Sequence, residues 1–123
     1  MTYQYIPDLH QEAAVQPDGI LSRVLHNEPY FRGDSREASF RGDSREDGIR
    51  TVIFAFDTGQ ELTEHTASRP ATLQILSGHG KIKLAQDELE AKPGTWVYMP
   101  AGLVHAIRAE SPLTMLLTLL PRK

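Results

Sequence analysis

From residue 50 to residue 120 the sequence is a succession of short runs rich in β-branched, aromatic and aliphatic residues, each ended by turn residues. Such runs at short spacing are typical of an all-β barrel or sandwich. The turn signals include SGHG at 77–80 and KPG at 92–94, where glycine and proline favour tight turns. Charged and aliphatic residues alternate over 81–84, which predicts a strand with one solvated face. The predicted strands are 20–26, 50–57, 73–76, 81–84, 89–91, 95–99, 104–109 and 113–120.

The length and composition limit the classes of protein to which the chain can belong. Its 123 residues are enough for one domain with a buried core and too few for two, so we expect a single domain over residues 1–123. A net charge of -3 argues against a nucleic-acid-binding surface. The chain has no cysteine, which excludes a disulfide framework and a thiolate site. Any metal would therefore be held by histidine, carboxylate and water.

The first residues, MTYQYIPDLHQ, contain neither the basic region nor the apolar region of a signal peptide. No run approaches the roughly 20 apolar residues of a membrane span. We therefore expect a cytoplasmic protein that does not associate with membranes.

A perfect seven-residue repeat interrupts the strand pattern. FRGDSRE occurs at 31–37 and again at 40–46, within a charged insertion at about 31–48 that predicts an exposed loop or hairpin extension. Two copies are too few for a stacked repeat fold, so a tandem duplication or an engineered insertion accounts for them better. Each copy contains Arg-Gly-Asp-Ser, which resembles a motif read by integrins. A display or adhesion module is one interpretation of this segment, and a solvated turn is the other.

Residues 94–109, GTWVYMPAGLVHAIRA, contain the most specific motif in the chain. The segment resembles the second motif of the cupin family, G-x5-P-x-G-x2-H-x3-N, with Gly94, Pro100, Gly102 and His105 in register. The final asparagine is replaced by Ala109. The resemblance implies a double-stranded β-helix, or jelly-roll, barrel in which His105 faces inward.

The first cupin motif, G-x5-H-x-H-x3or4-E-x6-G, is only partly present, at 59–78. Gly59, His65 and Gly78 match it. The second histidine position is Ala67, and the glutamate position falls at 71 or 72, which are alanine and threonine. The family's set of three histidines and one carboxylate is thus reduced to His65 and His105. These two residues are the predicted metal ligands for Zn, Ni, Fe, Cu or Mn, and a two-ligand site should bind weakly. The alternative is that they are two polar residues in a barrel mouth that no longer holds a metal.

The other polar residues near these motifs are poor candidates for a third ligand. Strand alternation places Glu64 on the face opposite His65, and Glu61 on the His65 face but far along it. His79 belongs to a glycine-flanked surface turn. We expect Gln74 to point away from the barrel interior. Arg69 could reach over the barrel mouth and bind a carboxylate, but we expect it to be a solvated surface residue.

The side chains expected inside the barrel are small or apolar. Alternation from the two histidines adds the inward set Ala67, Ala71, Leu73, Ile75, Ile107 and Ala109. Such a lining suits a modest organic ligand better than a phosphorylated one. Trp96 and Tyr98 share one face of their strand and are interpreted as core or interface aromatics.

Fold alone does not select a function. The leading interpretation is a small-molecule-binding cupin with an optional weak divalent metal site. The alternatives are a metal-dependent dioxygenase or isomerase, and the display module described above. We also expect a homodimer, because small cupins commonly pair and because the apolar residues of the stretch from Tyr3 to Val15 lack an evident partner. A disordered tail on a monomer is the alternative.

Overall fold

The computed structural model describes residues 2–28 and 48–121 of the chain. Within these ranges the chain forms a 3-10 turn at Leu9–Gln11 and nine strands. The strands are β1 (Ile20–Asn27), β2 (Arg50–Phe56), β3 (Glu61–His65), β4 (Ala71–Ser77), β5 (Gly80–Leu84), β6 (Asp87–Ala91), β7 (Trp96–Met99), β8 (His105–Ala109) and β9 (Leu113–Leu119).

The strands form two antiparallel sheets. The larger has the order β1-β2-β9-β4-β7 and the smaller the order β3-β8-β5-β6. Strands that are consecutive in sequence therefore often lie in different sheets, as in a double-stranded β-helix. The predicted all-β class and jelly-roll barrel are confirmed.

Local alternation explains which side chains fill the space between the sheets. Along β4 the side chains of Ala71, Leu73 and Ile75 are buried whereas Gln74 is exposed, as expected of a strand with one face on the core. The inward faces of both sheets meet in one apolar cluster. Its buried members are Phe56, Ala71, Leu73, Ile75, Ile82, Ala91, Met99, Ile107, Ala109, Leu113 and Met115.

All eight predicted strands are present, with small changes at their ends. The turn between β5 and β6 is formed by Ala85 and Gln86, and β6 begins at Asp87, two residues before the predicted start. The additional strand is β3, which the sequence pattern did not single out. Most of its residues are exposed, and it therefore lacks the apolar alternation by which the other strands were recognised.

The N-terminal segment covers part of the outer face of the larger sheet. Ala13 is buried with Ile53 and Ala55 in a second apolar cluster, against which Leu9 packs. The expectation that these N-terminal apolar residues have no partner is therefore wrong for Leu9. It is correct for Tyr3, which is 92% exposed.

A carboxylate at the end of β2 joins this strand to the turn before β1. Asp57 Oδ2 accepts a hydrogen bond from the backbone N–H of Asp18 at 2.7 Å, and Oδ1 accepts one from Thr58 at 2.8 Å. The hydrogen bond from Asp18, followed by that from Thr58, lowers the pKa of Asp57 below its ordinary value, whereas desolvation acts in the opposite direction. The ionised carboxylate thus stabilises this corner of the barrel.

The predicted insertion at about 31–48, with both FRGDSRE copies, lies outside the described residues except for Gly48. Gly48 is buried, and its carbonyl accepts a hydrogen bond of 2.6 Å from Arg69 Nη2. Arg69 is only 6% exposed, so the expectation of a solvated surface arginine is wrong. In the described part of the chain, no helix is long and apolar enough to cross a membrane.

Candidate functional site

The fold brings His65 and His105 side by side. His65 is the last residue of β3 and His105 the first of β8, and the two are direct partners in the antiparallel register. Their ring centroids are 4.2 Å apart, with 59° between the ring planes. His65 is exposed and His105 is half-buried. The two residues predicted as metal ligands are therefore close enough to act on one ligand or ion.

The hydrogen bonds of the two rings define their tautomers. His65 Nδ1 lies 2.7 Å from the carbonyl oxygen of Thr63, and His105 Nδ1 lies 2.9 Å from that of Leu103. A carbonyl oxygen only accepts, so each Nδ1 carries the proton and donates it. In the neutral rings the lone pair is then on Nε2. Metal-binding histidines commonly have this arrangement, in which the other ring nitrogen donates to a backbone carbonyl.

Two connecting loops hold the histidines at one end of the barrel, which we call the mouth. Residues 66–70 lead from β3 to β4, and residues 100–104 lead from β7 to β8. The N–H of Gly102 donates to the carbonyl of Ala67 at 2.9 Å and so joins the two loops. Gly102 has a φ of +86°, a conformation that glycine adopts without strain. The Pro-x-Gly segment of the motif thus places His105 beside His65.

Both imidazoles line a cavity of about 70 Å³ that extends into the barrel. This volume is enough for a few waters or a ligand of a few heavy atoms. The other side chains that line the cavity are all apolar: Phe54, Leu62, Leu73, Ile82, Met99, Ala106, Ile107, Met115 and Leu117.

The predicted inward set is only partly in contact with this cavity. Leu73 and Ile107 line it, whereas Ala71, Ile75 and Ala109 are buried in the surrounding core. Ala67 is half-buried in the mouth loop. Met99 also lines the cavity, although it was not among the predicted residues. The sequence did indicate its direction, because alternation with Trp96 and Tyr98 places Met99 on the opposite, inward face of β7.

A bulge in β3 changes the predicted orientation of Glu61. The register shifts between Leu62 and His65, and both of these residues line the cavity. Glu61 lies instead on the outer face of the smaller sheet. Glu64 lies on that face as predicted, and it forms an ion pair with Lys83 there. Simple alternation predicted Glu61 on the same face of β3 as His65, and this prediction is wrong. The bulge adds one residue to the strand, so residues on its far side point to the opposite face from the one that alternation predicts.

The remaining candidates lie away from the cavity. His79 is exposed in its turn, and Gln74 is exposed, as expected. Trp96 and Tyr98 are 62% and 51% exposed, so the interpretation as core aromatics is wrong and the interface interpretation is still untested. Within residues 2–28 and 48–121 no cluster of three or more His, Cys, Asp or Glu side chains could hold a metal. His65 and His105 are thus two donors to which water or a ligand would have to be added.

Comparison with known proteins identifies the family. A sequence model described as "cupin domain" matches residues 52–119. An uncharacterized protein of Aquifex aeolicus is 32% identical over 59 residues, which are 48% of this chain and 49% of that protein. The match therefore spans about half the length of that relative.

Solved structures of similar fold cover nearly the whole chain. A conserved protein of unknown function from Streptococcus pyogenes has a TM-score of 0.75 and 27% identity, with 100% of this chain and 92% of that chain covered. A cupin superfamily protein from Desulfitobacterium hafniense has a TM-score of 0.75 and 19% identity, with 99% and 94% covered. A cupin 2 conserved barrel domain protein from Leptotrichia buccalis has a TM-score of 0.72 and 26% identity, with 91% and 46% covered.

Proposed function

The chain belongs to the cupin family, and we propose that its barrel binds a small, uncharged and mainly apolar molecule in the cavity beneath His65 and His105. The observation that carries this proposal is the composition of the cavity wall. Two imidazoles stand at the mouth, and each of the other described lining residues is apolar.

The chemistry of the wall selects the class of ligand. A carboxylate or phosphate inside such a cavity would lose its hydration without gaining a cationic partner from these side chains, which is costly. An apolar ligand body gains free energy by leaving water. The Nε2 atoms of His65 and His105 can accept hydrogen bonds from a polar group at the outer end of the ligand. Two fixed acceptors beside an apolar cavity would therefore orient the molecule.

We further propose that the two Nε2 atoms hold an optional and weakly bound divalent ion. The ring tautomers suit this role, because both Nδ1–H groups are engaged with backbone carbonyls. Two imidazoles leave the remaining coordination positions to water or to the ligand. A bound ion would act as a Lewis acid towards an oxygen of that ligand. The metal-dependent oxygenase or isomerase alternative depends on this ion, and the contacts of both Nδ1 atoms with backbone carbonyls are the observation that favours it.

Metal analysis and ligand screening together test the proposal. Protein purified without chelator would be analysed for iron, nickel, copper, zinc and manganese, and then screened by thermal shift with matched neutral, carboxylated and phosphorylated compounds. Neutral apolar compounds are expected to raise the melting temperature, because a ligand that binds only the folded state stabilises it. Stabilisation confined to the charged compounds would contradict the proposal. Near-stoichiometric metal would favour the enzyme alternative.

Histidine variants link the result to the site. The double variant His65→Ala, His105→Ala is expected to lose the response to neutral ligands and any bound metal. His79→Ala removes an exposed imidazole that lies outside the cavity and is the matched control, which should behave like the unmodified protein. Equal effects of both changes would show that the response does not arise at the barrel mouth.

We also propose that two copies of the chain associate. The larger sheet has exposed aromatic side chains at both of its edges, which are β1 and β7. The N-terminal segment, hydrogen-bonded to β1 through Gln4, carries Tyr3 and Tyr5, which are 92% and 76% exposed. The strand β7 carries the exposed Trp96 and Tyr98. Exposed aromatic surface of this kind commonly marks an interface, and two-fold pairing is the commonest closed assembly.

A further inference from the structure

We infer that the thioether of Met99 is a third protein ligand beside His65 and His105, and that the three together form a site for a soft monovalent ion, Cu(I). This inference rests on the two-histidine metal site proposed above, and it assigns to that site a monovalent ion beside the weakly bound divalent one. It depends on the position of Met99, on the space around its side chain and on the charge of the cavity.

Met99 lies at the mouth with the two histidines. It is the last residue of β7, and the loop of residues 100–104 leads from it to His105. Gly102, within this loop, is hydrogen-bonded to Ala67 in the loop that follows His65. Met99 is buried and lines the same cavity as both imidazoles. The mouth end of the cavity thus presents two nitrogen donors and the sulfur of Met99.

The residue opposite Met99 has a small side chain, and the side chain of Met99 itself is flexible. Met99 pairs directly with Ala71 of β4, which is buried and contributes only a methyl group. Directly paired side chains on one face of a sheet are neighbours. A methionine side chain is unbranched, with three rotatable bonds, and Met99 lines the cavity shared by both imidazoles, so its sulfur can turn towards them.

Met115 lines the same cavity at a greater depth. It pairs with Phe54 and Ile75, whereas Leu119 of the same strand pairs with Ala71 at the level of Met99. Four residues along a strand correspond to about 13 Å. Met115 therefore belongs to the inner part of the wall and Met99 to the mouth, and the two methionines form a matched pair for experiment.

The charge of the site favours a monovalent ion. Two neutral imidazoles and a thioether bring no negative charge, and each of the other described lining residues is apolar. Desolvating an uncompensated +2 ion in such surroundings costs more than desolvating a +1 ion. Thioether and imidazole donors both suit Cu(I), whereas Mn and other hard ions prefer oxygen ligands. The donor set therefore favours tighter binding of Cu(I) than of the divalent ions, which bind weakly at the two imidazoles.

Competitive titration tests the inference. Metal-free protein would be titrated under argon with the coloured Cu(I)–bicinchoninate complex and, separately, with Zn(II) against a chromophoric chelator. Met99→Leu is expected to weaken Cu(I) binding by about tenfold or more and to leave Zn(II) binding within about twofold. Met115→Leu makes the same substitution deeper in the cavity and should change neither. Circular dichroism melts would establish that each variant is folded.

Each outcome distinguishes this inference from the proposal on which it rests. If Met99→Leu binds Cu(I) as the unmodified protein does, while His65→Ala with His105→Ala abolishes binding, the thioether is not a ligand and the two-histidine site stands. Equal losses in Met99→Leu and Met115→Leu would overturn the assignment to the mouth. If neither Cu(I) nor Zn(II) binds in a histidine-dependent manner, both the inference and the proposed metal site are wrong.

Discussion

Replacing Gly78 by alanine perturbs the point at which β4 approaches the start of β9. Gly78 follows β4 with a φ of +82°. A Cβ atom there would overlap the carbonyl oxygen of Pro112 and would lie 2.7 Å from Leu113 Cα. Both neighbours are backbone atoms, and β4 is hydrogen-bonded to β9 along its length. The overlap can be relieved only by displacing paired backbone.

The expected cost follows from three contributions. The left-handed conformation costs a residue with a Cβ about 1–2 kcal/mol, and overpacking against a fixed neighbour costs about 1–3 kcal/mol. The lower entropy of the unfolded alanine chain returns about 0.4–1 kcal/mol. We therefore expect Gly78→Ala to lower the free energy of unfolding by about 3 kcal/mol, much of the stability of an ordinary domain.

Gly94→Ala separates the steric contribution from the conformational one. Gly94 has a φ of +95°, and an added Cβ would meet nothing within 4 Å. Only the conformational penalty applies, and we expect a loss of about 1 kcal/mol. Urea denaturation followed by circular dichroism would measure both variants, with equal m-values as a check that the transition is unchanged. Losses that agree to within about 0.5 kcal/mol would refute the claim that close backbone approach requires glycine at position 78.

Three further predictions concern the site, the surface and the assembly. Replacing His65 and His105 together by alanine should remove bound metal and leave the barrel folded, because neither ring belongs to the buried core; unchanged metal content would contradict the site. Because the pKa of Asp57 is lowered in the folded protein, the stabilisation provided by its carboxylate is present above about pH 4. This stabilisation is lost as the pH falls through the pKa of the folded state. Asp57→Asn should therefore flatten the acid side of a plot of melting temperature against pH, and parallel curves for the two proteins would show the argument to be wrong. Light scattering should give about twice the 13.8 kDa mass of the chain, and Tyr3→Ser with Tyr5→Ser should reduce it, whereas a monomeric unmodified protein would exclude the dimer.

Local sequence patterns determined much of the fold. The positions of eight strands followed from alternation and turn residues, because a strand with one buried face shows its period of two in the sequence itself. The run 113–120 has a composition compatible with a helix, but the prolines at 112 and 121 flank it, and it forms β9. The spacing of Pro100, Gly102 and His105 likewise indicated a turn that starts a strand with an inward histidine. These features depend on neighbours within a few residues along the chain.

The composition of the site depended on contacts that no local pattern records. The bulge between Leu62 and His65 reversed the predicted direction of Glu61, and Arg69 is buried against Gly48 rather than solvated. Met99 shares a cavity with His65 and His105 because the two sheets that carry them face each other. Register, bulges and loop contacts are set by pairing with strands distant in sequence. The sequence therefore determined which residues face inward along most strands, whereas only the tertiary structure decided which of them share one cavity.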